Sequence, residues 1–196
     1  MLQGCSIAQK PFEGRIVYQV EYTSLPDETG DVEAVLPQQL TAFIAGENLR
    51  VEQRTALAGN MVMIHKEKAD SVYQSFTFLD QQVMLVKPVE KRPMRYRVLD
   101  GKQEKEFLGN PLHLKKLHAS DGQKNIAWVS ESYINPFKYD LPELKHLPLV
   151  FDMERNGIQM HLVAIKWNEE PIDETYFIID PDAKRVTESM LSRILD

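Results

Sequence analysis

Cysteine is almost absent from this chain of 196 residues. Its single cysteine, Cys5, excludes an internal disulfide. Long apolar runs are missing too, since no stretch approaches the roughly 18 residues that a transmembrane helix needs. The length and the ordinary balance of apolar and charged residues predict one globular domain with a substantial core.

Recognisable catalytic motifs are also lacking. The chain has no GxSxG nucleophile motif, no phosphate loop and no dinucleotide fingerprint. None of the five histidines lies two or four residues from another, so the local spacing of a zinc site is missing. His113 and His118 share one predicted strand but point to opposite faces. We therefore expect a protein that is not an enzyme and holds no metal or cofactor.

The net charge of −6 argues against a nucleic-acid partner, because an acidic chain repels phosphate unless a basic face is set apart. The chain has one basic segment, from Lys87 to Arg97. The simplest explanation is a solvated connection that protects a strand edge. A patch for anionic head groups or an acidic protein partner is the alternative. This segment contains Lys87, Lys91, Arg92, Arg95 and Arg97.

The first residues have the form of a processing site. Leu2-Gln3-Gly4-Cys5 matches a lipobox, where a bacterial lipoprotein is cut and its new N-terminal cysteine acylated, so Cys5 is a candidate lipid attachment site. Ser6-Ile7-Ala8 has the small-x-small form of a signal-peptidase site that would release a chain starting at Gln9. An irrelevant leader is the third interpretation.

The basic and apolar regions of a complete signal peptide are missing. We assign residues 1–9 to a signal-peptide or lipobox remnant and residues 10–196 to a single β domain. Either processing site would place the protein in the periplasm or cell envelope. It would then touch a membrane only through a lipid anchor.

Alternation of apolar and polar residues dominates the rest of the chain and predicts β-strands. The first predicted strand is Gly14–Ser24, and one of its faces carries Ile16, Tyr18, Val20 and Tyr22. An antiparallel sheet with one solvent-exposed side permits this pattern. The other predicted strands are Leu40–Ala45, Asn48–Gln53, Met61–Lys66, Ser71–Phe78, Gln82–Val86, Lys102–Leu108, Leu112–His118, Asn125–Glu131, Leu149–Glu154 and Gln159–Trp167.

The segments between the strands carry turn and loop signals. Asp121-Gly122 and Asn156-Gly157 predict tight hairpins. Segments 25–40 and 132–148 contain prolines and predict loops with at most a short helix.

One amphipathic helix is predicted near the C-terminus. Asp180-Pro181 has the form of an N-cap and first helical position, and Val186, Met190 and Ile194 follow at intervals of four. About ten short antiparallel strands with little helix predict a mainly β (α+β) fold. We expect a strongly curved sheet or half-barrel with short covering helices, whose concave face must be filled by side chains, a helix or a ligand.

Methionine recurs on or beside the predicted strands, and its flexible side chain suits a pocket for variable acyl chains. Plain core packing is the alternative. The strand methionines are Met61, Met63, Met84, Met94, Met153 and Met160. From these methionines and the large strand residues, we predict which residues of the concave face line a ligand site. They are Tyr18, Val20, Met61, Met63, Phe76 and Trp128.

Five short segments, spread from about Phe12 to Thr187, resemble a family of secreted bacterial proteins of unknown function. That family is related to GLPGLI-type envelope proteins and to LolA/LolB-like lipoprotein-carrier folds. The matching segments are Phe12–Tyr18, Phe43–Arg50, Ile126–Val129, Leu147–Phe151 with Asn156-Gly157, and Ile172–Phe177 with Pro181. The resemblance implies a curved antiparallel sheet around short helices, an envelope location and binding of lipid or lipoprotein acyl chains. It carries over no catalytic residue.

Two functions from different classes follow. The first is a non-enzymatic envelope protein that binds a hydrophobic small molecule or acyl chain in the concave face, since each buried methylene contributes about 0.8 kcal/mol. The second is an envelope protein–protein interaction or stress-sensing domain whose core is filled by its own side chains. A hydrolase assembled from dispersed residues is the least favoured alternative.

Overall fold

The computed structural model describes residues 9–25, 36–55, 59–66, 69–78, 81–89, 96–155 and 157–187. These residues are mostly strand, which confirms the prediction of a mainly β fold. The twelve strands are β1 (Glu13–Ser24), β2 (Gln39–Ala45), β3 (Asn48–Thr55), β4 (Gly59–His65), β5 (Ser71–Phe78), β6 (Gln81–Pro88), β7 (Tyr96–Phe107), β8 (Asn110–Ala119), β9 (Lys124–Ile134), β10 (His146–Arg155), β11 (Ile158–Glu169) and β12 (Lys184–Val186).

Helix is scarce among the described residues. A single 3₁₀ turn, Glu174–Phe177, is present there, and the covering α-helices that the sequence predicts are not found in these ranges. The described part of the chain contains no helix with the length and hydrophobicity needed to cross a membrane.

All twelve strands belong to one open sheet, in the order β12-β6-β5-β4-β3-β2-β1-β11-β10-β9-β8-β7. Strands β1 to β6 form one antiparallel meander, and β7 to β11 form a second. The two meanders meet where β1 pairs with β11. The sheet is mixed, because β12 runs parallel to β6, so the prediction of a purely antiparallel sheet is wrong at this short strand.

Covalent geometry requires this sheet to curl. Strands β6 and β7 stand second and last in the order, so ten strand spacings of about 4.8 Å would hold them about 48 Å apart in a flat sheet. The chain from Pro88 to Tyr96, which joins them, can span at most about 29 Å. The two arms of the sheet must therefore bend toward each other.

The hydrophobic core lies on the face that carries Ile16 and Tyr18 of β1, which we call the inner face. Both side chains are fully buried, whereas Val17 and Gln19 on the opposite, outer face are only partly buried. The Tyr18 ring packs edge-on against Phe137 and Phe151, and its hydroxyl donates a hydrogen bond of 2.9 Å to the Pro148 carbonyl. Burial raises the pKa of Tyr18 far above its usual value.

Gly14 explains why β1 and β11 approach so closely at the junction of the two meanders. Its φ angle of 153° is rare for residues with a side chain. A Cβ atom at this position would lie 2.1 Å from the Asn168 carbonyl oxygen and 2.8 Å from the Phe12 ring. Glycine is therefore required where the chain enters the sheet.

Residues 135–145, which we call the plug loop, join β9 to β10 and pack Phe137 into the inner face. Asn135 organises this loop from a fully buried position. Its amide nitrogen donates to the carbonyls of Leu141 and Leu144, and its amide oxygen accepts from the Phe137 backbone N–H. The predicted loop over 132–148 is thus a structured loop, although β9 and β10 extend further into the segment than expected.

The predicted C-terminal helix is wrong over the described residues. Asp180 accepts a hydrogen bond from the Asp182 backbone N–H, as a helix cap would, but the chain then turns. It continues as β12, where Val186 is buried beside β6. Pairing with a sheet edge therefore overrides the local helix signal; Met190 and Ile194 lie outside the described residues.

The eleven other strands were all predicted, with ends that shift by a few residues. The largest difference is in β7, which begins at Tyr96 rather than Lys102. An irregularity between Asp100 and Glu104 divides this strand. Of the predicted tight turns, Asp121-Gly122 and Gly157 are observed as turns, while Asn156 lies outside the described residues.

We expect the Asn135→Ala substitution to lower the free energy of unfolding by about 3 kcal/mol, because it leaves two buried carbonyls and one buried N–H without their partner. Urea unfolding followed by tryptophan fluorescence measures the change. Asn125→Ala, on the same strand β9, is the control and should cost less than about 0.5 kcal/mol. Equal effects of the two substitutions would contradict the assigned role of Asn135.

Candidate ligand-binding cavity

A cavity opens on the inner face between the plug loop and strands from both meanders. Most of its wall is apolar, and four of its residues are methionines. Among the described residues, three polar side chains reach it, those of Gln53, Gln74 and Asp140. The described lining residues are Leu40, Val51, Gln53, Met61, Met63, Gln74, Phe137, Asp140, Phe151, Met153, Met160 and Leu162.

The curl of the sheet creates this cavity. Gln74 of β5 and Phe151 of β10 both line it, although six strand spacings separate these strands in the order. In a flat sheet they would stand about 29 Å apart. The cavity is therefore a property of the folded arms together and of neither meander alone.

The cavity is small as it stands. Its volume is about 60 Å³, room for about four water molecules and below the range of about 300–1,000 Å³ typical of small-molecule sites. Because methionine side chains change rotamer readily, the four methionines allow the cavity to adapt to an occupant.

Two glutamine amides converge on one methionine sulphur inside the cavity. Gln53 Nε2 lies 3.1 Å and Gln74 Nε2 lies 2.7 Å from the Sδ atom of Met61. The register places all three on the inner face of neighbouring strands, with Gln53 opposite Met61 and Gln74 opposite Met63. A thioether sulphur is a weak acceptor, so both amides keep the capacity to bind a stronger one.

An aspartate and a histidine lie at the plug-loop side of the cavity. The Asp140 side chain reaches the wall, and His65 stands two residues beyond Met63 on the inner face of β4. Burial lowers the pKa of His65, an effect that the nearby charge of Asp140 partly opposes. Within the described residues the Nδ1 atom of His65 is buried without a hydrogen-bond partner.

The sequence-predicted lining residues occupy four different positions. Met61 and Met63 line the cavity. Tyr18 and Val20 are buried on the inner face behind its wall, where Tyr18 contacts the lining residues Phe137 and Phe151. Phe76 is half-buried beside Met61, its cross-strand partner, but does not reach the cavity.

Trp128 lies on the outer face, away from the cavity. Its neighbour Ala127 pairs with Phe151 on the inner face, so the alternation of the strand turns Trp128 outward. There its ring lies 4.3 Å from the Lys105 ammonium, and burial lowers the pKa of that lysine. Cys5, the candidate lipid attachment site, lies outside the described residues.

Sequence reasoning missed the polar residues of the cavity and the plug loop. Gln53 follows Leu49 and Val51, and Gln74 stands between Val72 and Phe76, on the faces that carry buried apolar side chains. A polar residue at an inward position of an apolar strand was the available signal. Phe137 and Asp140 gave no comparable signal, because their placement depends on the tertiary packing of the loop.

A second polar cluster lies on the inner face toward the β7 edge. The ammonium of Lys115, whose side chain is 9% exposed, contacts Asp100 at 2.8 Å and Glu131 at 2.6 Å. Burial lowers the pKa of Lys115, but the hydrogen bonds to the two carboxylates raise it above its usual value on balance. The same hydrogen bonds hold the pKa of Asp100 and Glu131 below their usual range. This arrangement satisfies a buried lysine and is explained by the fold.

No group of three or more histidine, cysteine, aspartate or glutamate side chains able to hold a metal ion occurs in the part of the chain that the structure describes. The basic segment, predicted to be a solvated connection with a surface patch as the alternative, lies mostly outside that part, since only its residues Lys87 and Arg97 are described.

The histidines predict a loss of stability in mild acid. Burial lowers the pKa of both His65 and His146, so the unfolded chain takes up protons first as the pH falls below about 6.5. Stability should therefore be fully present above pH 6.5 and decline toward the lower pKa of the folded state. We expect His65→Gln to flatten this decline and the His65→Gln/His146→Gln double variant to flatten it further. Urea unfolding between pH 7.5 and 5.0 measures the slopes; identical slopes in all three proteins would refute this origin.

Comparison with known proteins finds a protein of similar fold but no matching family. No family model matches the chain, and no curated protein matches it. Among solved structures, the chain is similar to PNGF-II, in the structure titled "Structure of PNGF-II in C2 space group", with a TM-score of 0.51 and 12% sequence identity. The match covers 91% of this chain and 31% of that chain, so the chain spans less than a third of the length of PNGF-II. At this identity the likeness shows a shared fold alone.

Proposed function

We propose that this protein is a non-enzymatic binding protein that holds a hydrophobic small molecule or a single acyl chain in the inner-face cavity. The observation that carries the proposal is the wall itself, in which nine of the twelve described lining residues are apolar and four of those are methionines from both arms of the sheet. Apolar cavities with a few convergent polar groups are typical of ligand sites.

The curled sheet supports the finer proposal of a LolA/LolB-like half-barrel in the bacterial envelope. Its inner face brings strands of two meanders together around one cavity, as a carrier of acyl chains requires. The motif resemblance, the lipobox-like Leu2–Cys5 segment and the apolar wall all fit this proposal. The plug loop takes the place of a covering element over the described inner face.

The second candidate is an envelope interaction or stress-sensing domain with a side-chain-filled core. The observation that favours it is the cavity volume of only about 60 Å³, because Phe137 and its aromatic neighbours already fill much of the inner face. The two proposals differ in one measurable property, which is uptake of an apolar ligand.

We expect the neutral fluorescent probe N-phenyl-1-naphthylamine to bind the wild-type protein with increased, blue-shifted emission. Met63→Trp fills the cavity and should weaken probe binding at least tenfold. Ile126→Trp, on the exposed outer face, should leave probe binding unchanged. Circular dichroism checks that both variants fold. Absence of probe binding to the wild-type protein would reject the binding proposal in favour of the interaction domain.

Envelope anchoring is tested separately. In a Gram-negative host, we expect the natural precursor to be exported and processed, either to a soluble product that starts at Gln9 or to a membrane-bound product whose intact mass includes a diacylglyceryl group on Cys5. Cys5→Ser should abolish both the added mass and the membrane association. A soluble product that starts at Gln9 would show that the chain is cleaved after Ala8 and not acylated. An unprocessed cytoplasmic chain would contradict both forms of the proposal.

A further inference from the structure

We propose that the cavity selects uncharged apolar molecules that carry a hydrogen-bond acceptor oxygen, such as an ester or amide of an alkyl chain, and discriminates against free carboxylates. This inference rests on the proposed binding function and names the class of ligand. It depends on how the three polar side chains of the wall are arranged.

The two glutamines supply the donors. Their amide nitrogens approach the Met61 sulphur at 3.1 Å and 2.7 Å, so two N–H groups from different strands are directed at one point of the cavity. The occupant of that point is now a weak acceptor on a flexible side chain. A carbonyl oxygen placed there would accept both N–H groups more strongly, while the Met61 side chain moves aside.

The wall disfavours an anionic head group. In a mostly apolar cavity a carboxylate loses its hydration. Asp140, which lines the same wall and is only 6% exposed as a residue, adds a charge of the same sign. No cation lines the cavity among the described residues to compensate an anionic head group. An ester or amide oxygen avoids this repulsion and keeps the hydrogen bonds.

The remaining wall accepts the alkyl chain. Met153 and Met160 pair across β10 and β11, and Leu162 and Phe151 form the next pair, which gives the cavity a continuous apolar side. Methionines surround the chain on two sides, since Met61 and Met63 lie on β4. The site therefore combines an adaptable apolar slot with a polar point for one uncharged oxygen.

Competition against bound N-phenyl-1-naphthylamine at pH 7.5 tests the inference with two ligands of the same chain length. We expect methyl decanoate to displace the probe at about one-tenth of the concentration that decanoate requires. Asp140→Asn should improve displacement by decanoate and leave methyl decanoate unchanged. The Gln53→Leu/Gln74→Leu variant should weaken methyl decanoate about five- to tenfold while it still binds the probe.

Gln82→Leu, a glutamine on the exposed outer face of β6, is the matched control and should change neither ligand. If the wild-type protein binds the probe but decanoate competes as well as the ester, the inference is overturned and the binding function stands. The same holds if the double glutamine variant retains full affinity for the ester. If the probe itself does not bind, the binding function fails and the inference fails with it.

Discussion

The pairing of β1 with β11 is the constraint on which the rest of the structure depends. Among the described strands, it is the ladder through which the meander of β1 to β6 joins the meander of β7 to β11, so it turns two antiparallel units into a single sheet. Gly14 permits the close approach of the two strands, and Tyr18 anchors the junction to β10 through its hydrogen bond to Pro148. Because the short connection from β6 to β7 must then reach from one arm of the sheet to the other, the sheet has to curl.

The inner face of the curled sheet has more apolar surface than the strands can cover by themselves. The plug loop covers most of this surface, since Phe137 packs against Tyr18 and Phe151. Asn135 provides hydrogen-bond partners for the backbone of the loop. The part that the loop leaves open is the methionine-lined cavity. Its position between the arms means that an occupant contacts both meanders and should stabilise the whole sheet.

Much of the fold could be predicted from the sequence, because alternation with period two is a local signal. The register of Ile16, Tyr18 and Val20 gives the buried face of β1 without any tertiary information. The edge strand β12 could not be predicted, because the capping signal of Asp180 is compatible with a helix and only the neighbouring edge of β6 decides between the two.

The cavity was predictable only in part. Met61 and Met63 could be assigned to an inward face by alternation, and they line the cavity. Trp128 was assigned by size alone, and the register turns it outward. Asp140 and Phe137 reach the cavity through a loop whose path is set by the buried hydrogen bonds of Asn135, and no sequence period carries that information.

The most direct test of the account is a titration of the protein, labelled with ¹³C at the methionine methyl groups, with methyl decanoate followed by NMR. The account predicts that the signals of Met61, Met63, Met153 and Met160 shift together, because all four line one cavity contributed by both meanders. The signal of Met84, which is buried on the outer face, should stay in place. Shifts confined to Met84, or no shift at any of the four cavity methionines, would contradict the claim that the curled sheet forms a ligand site.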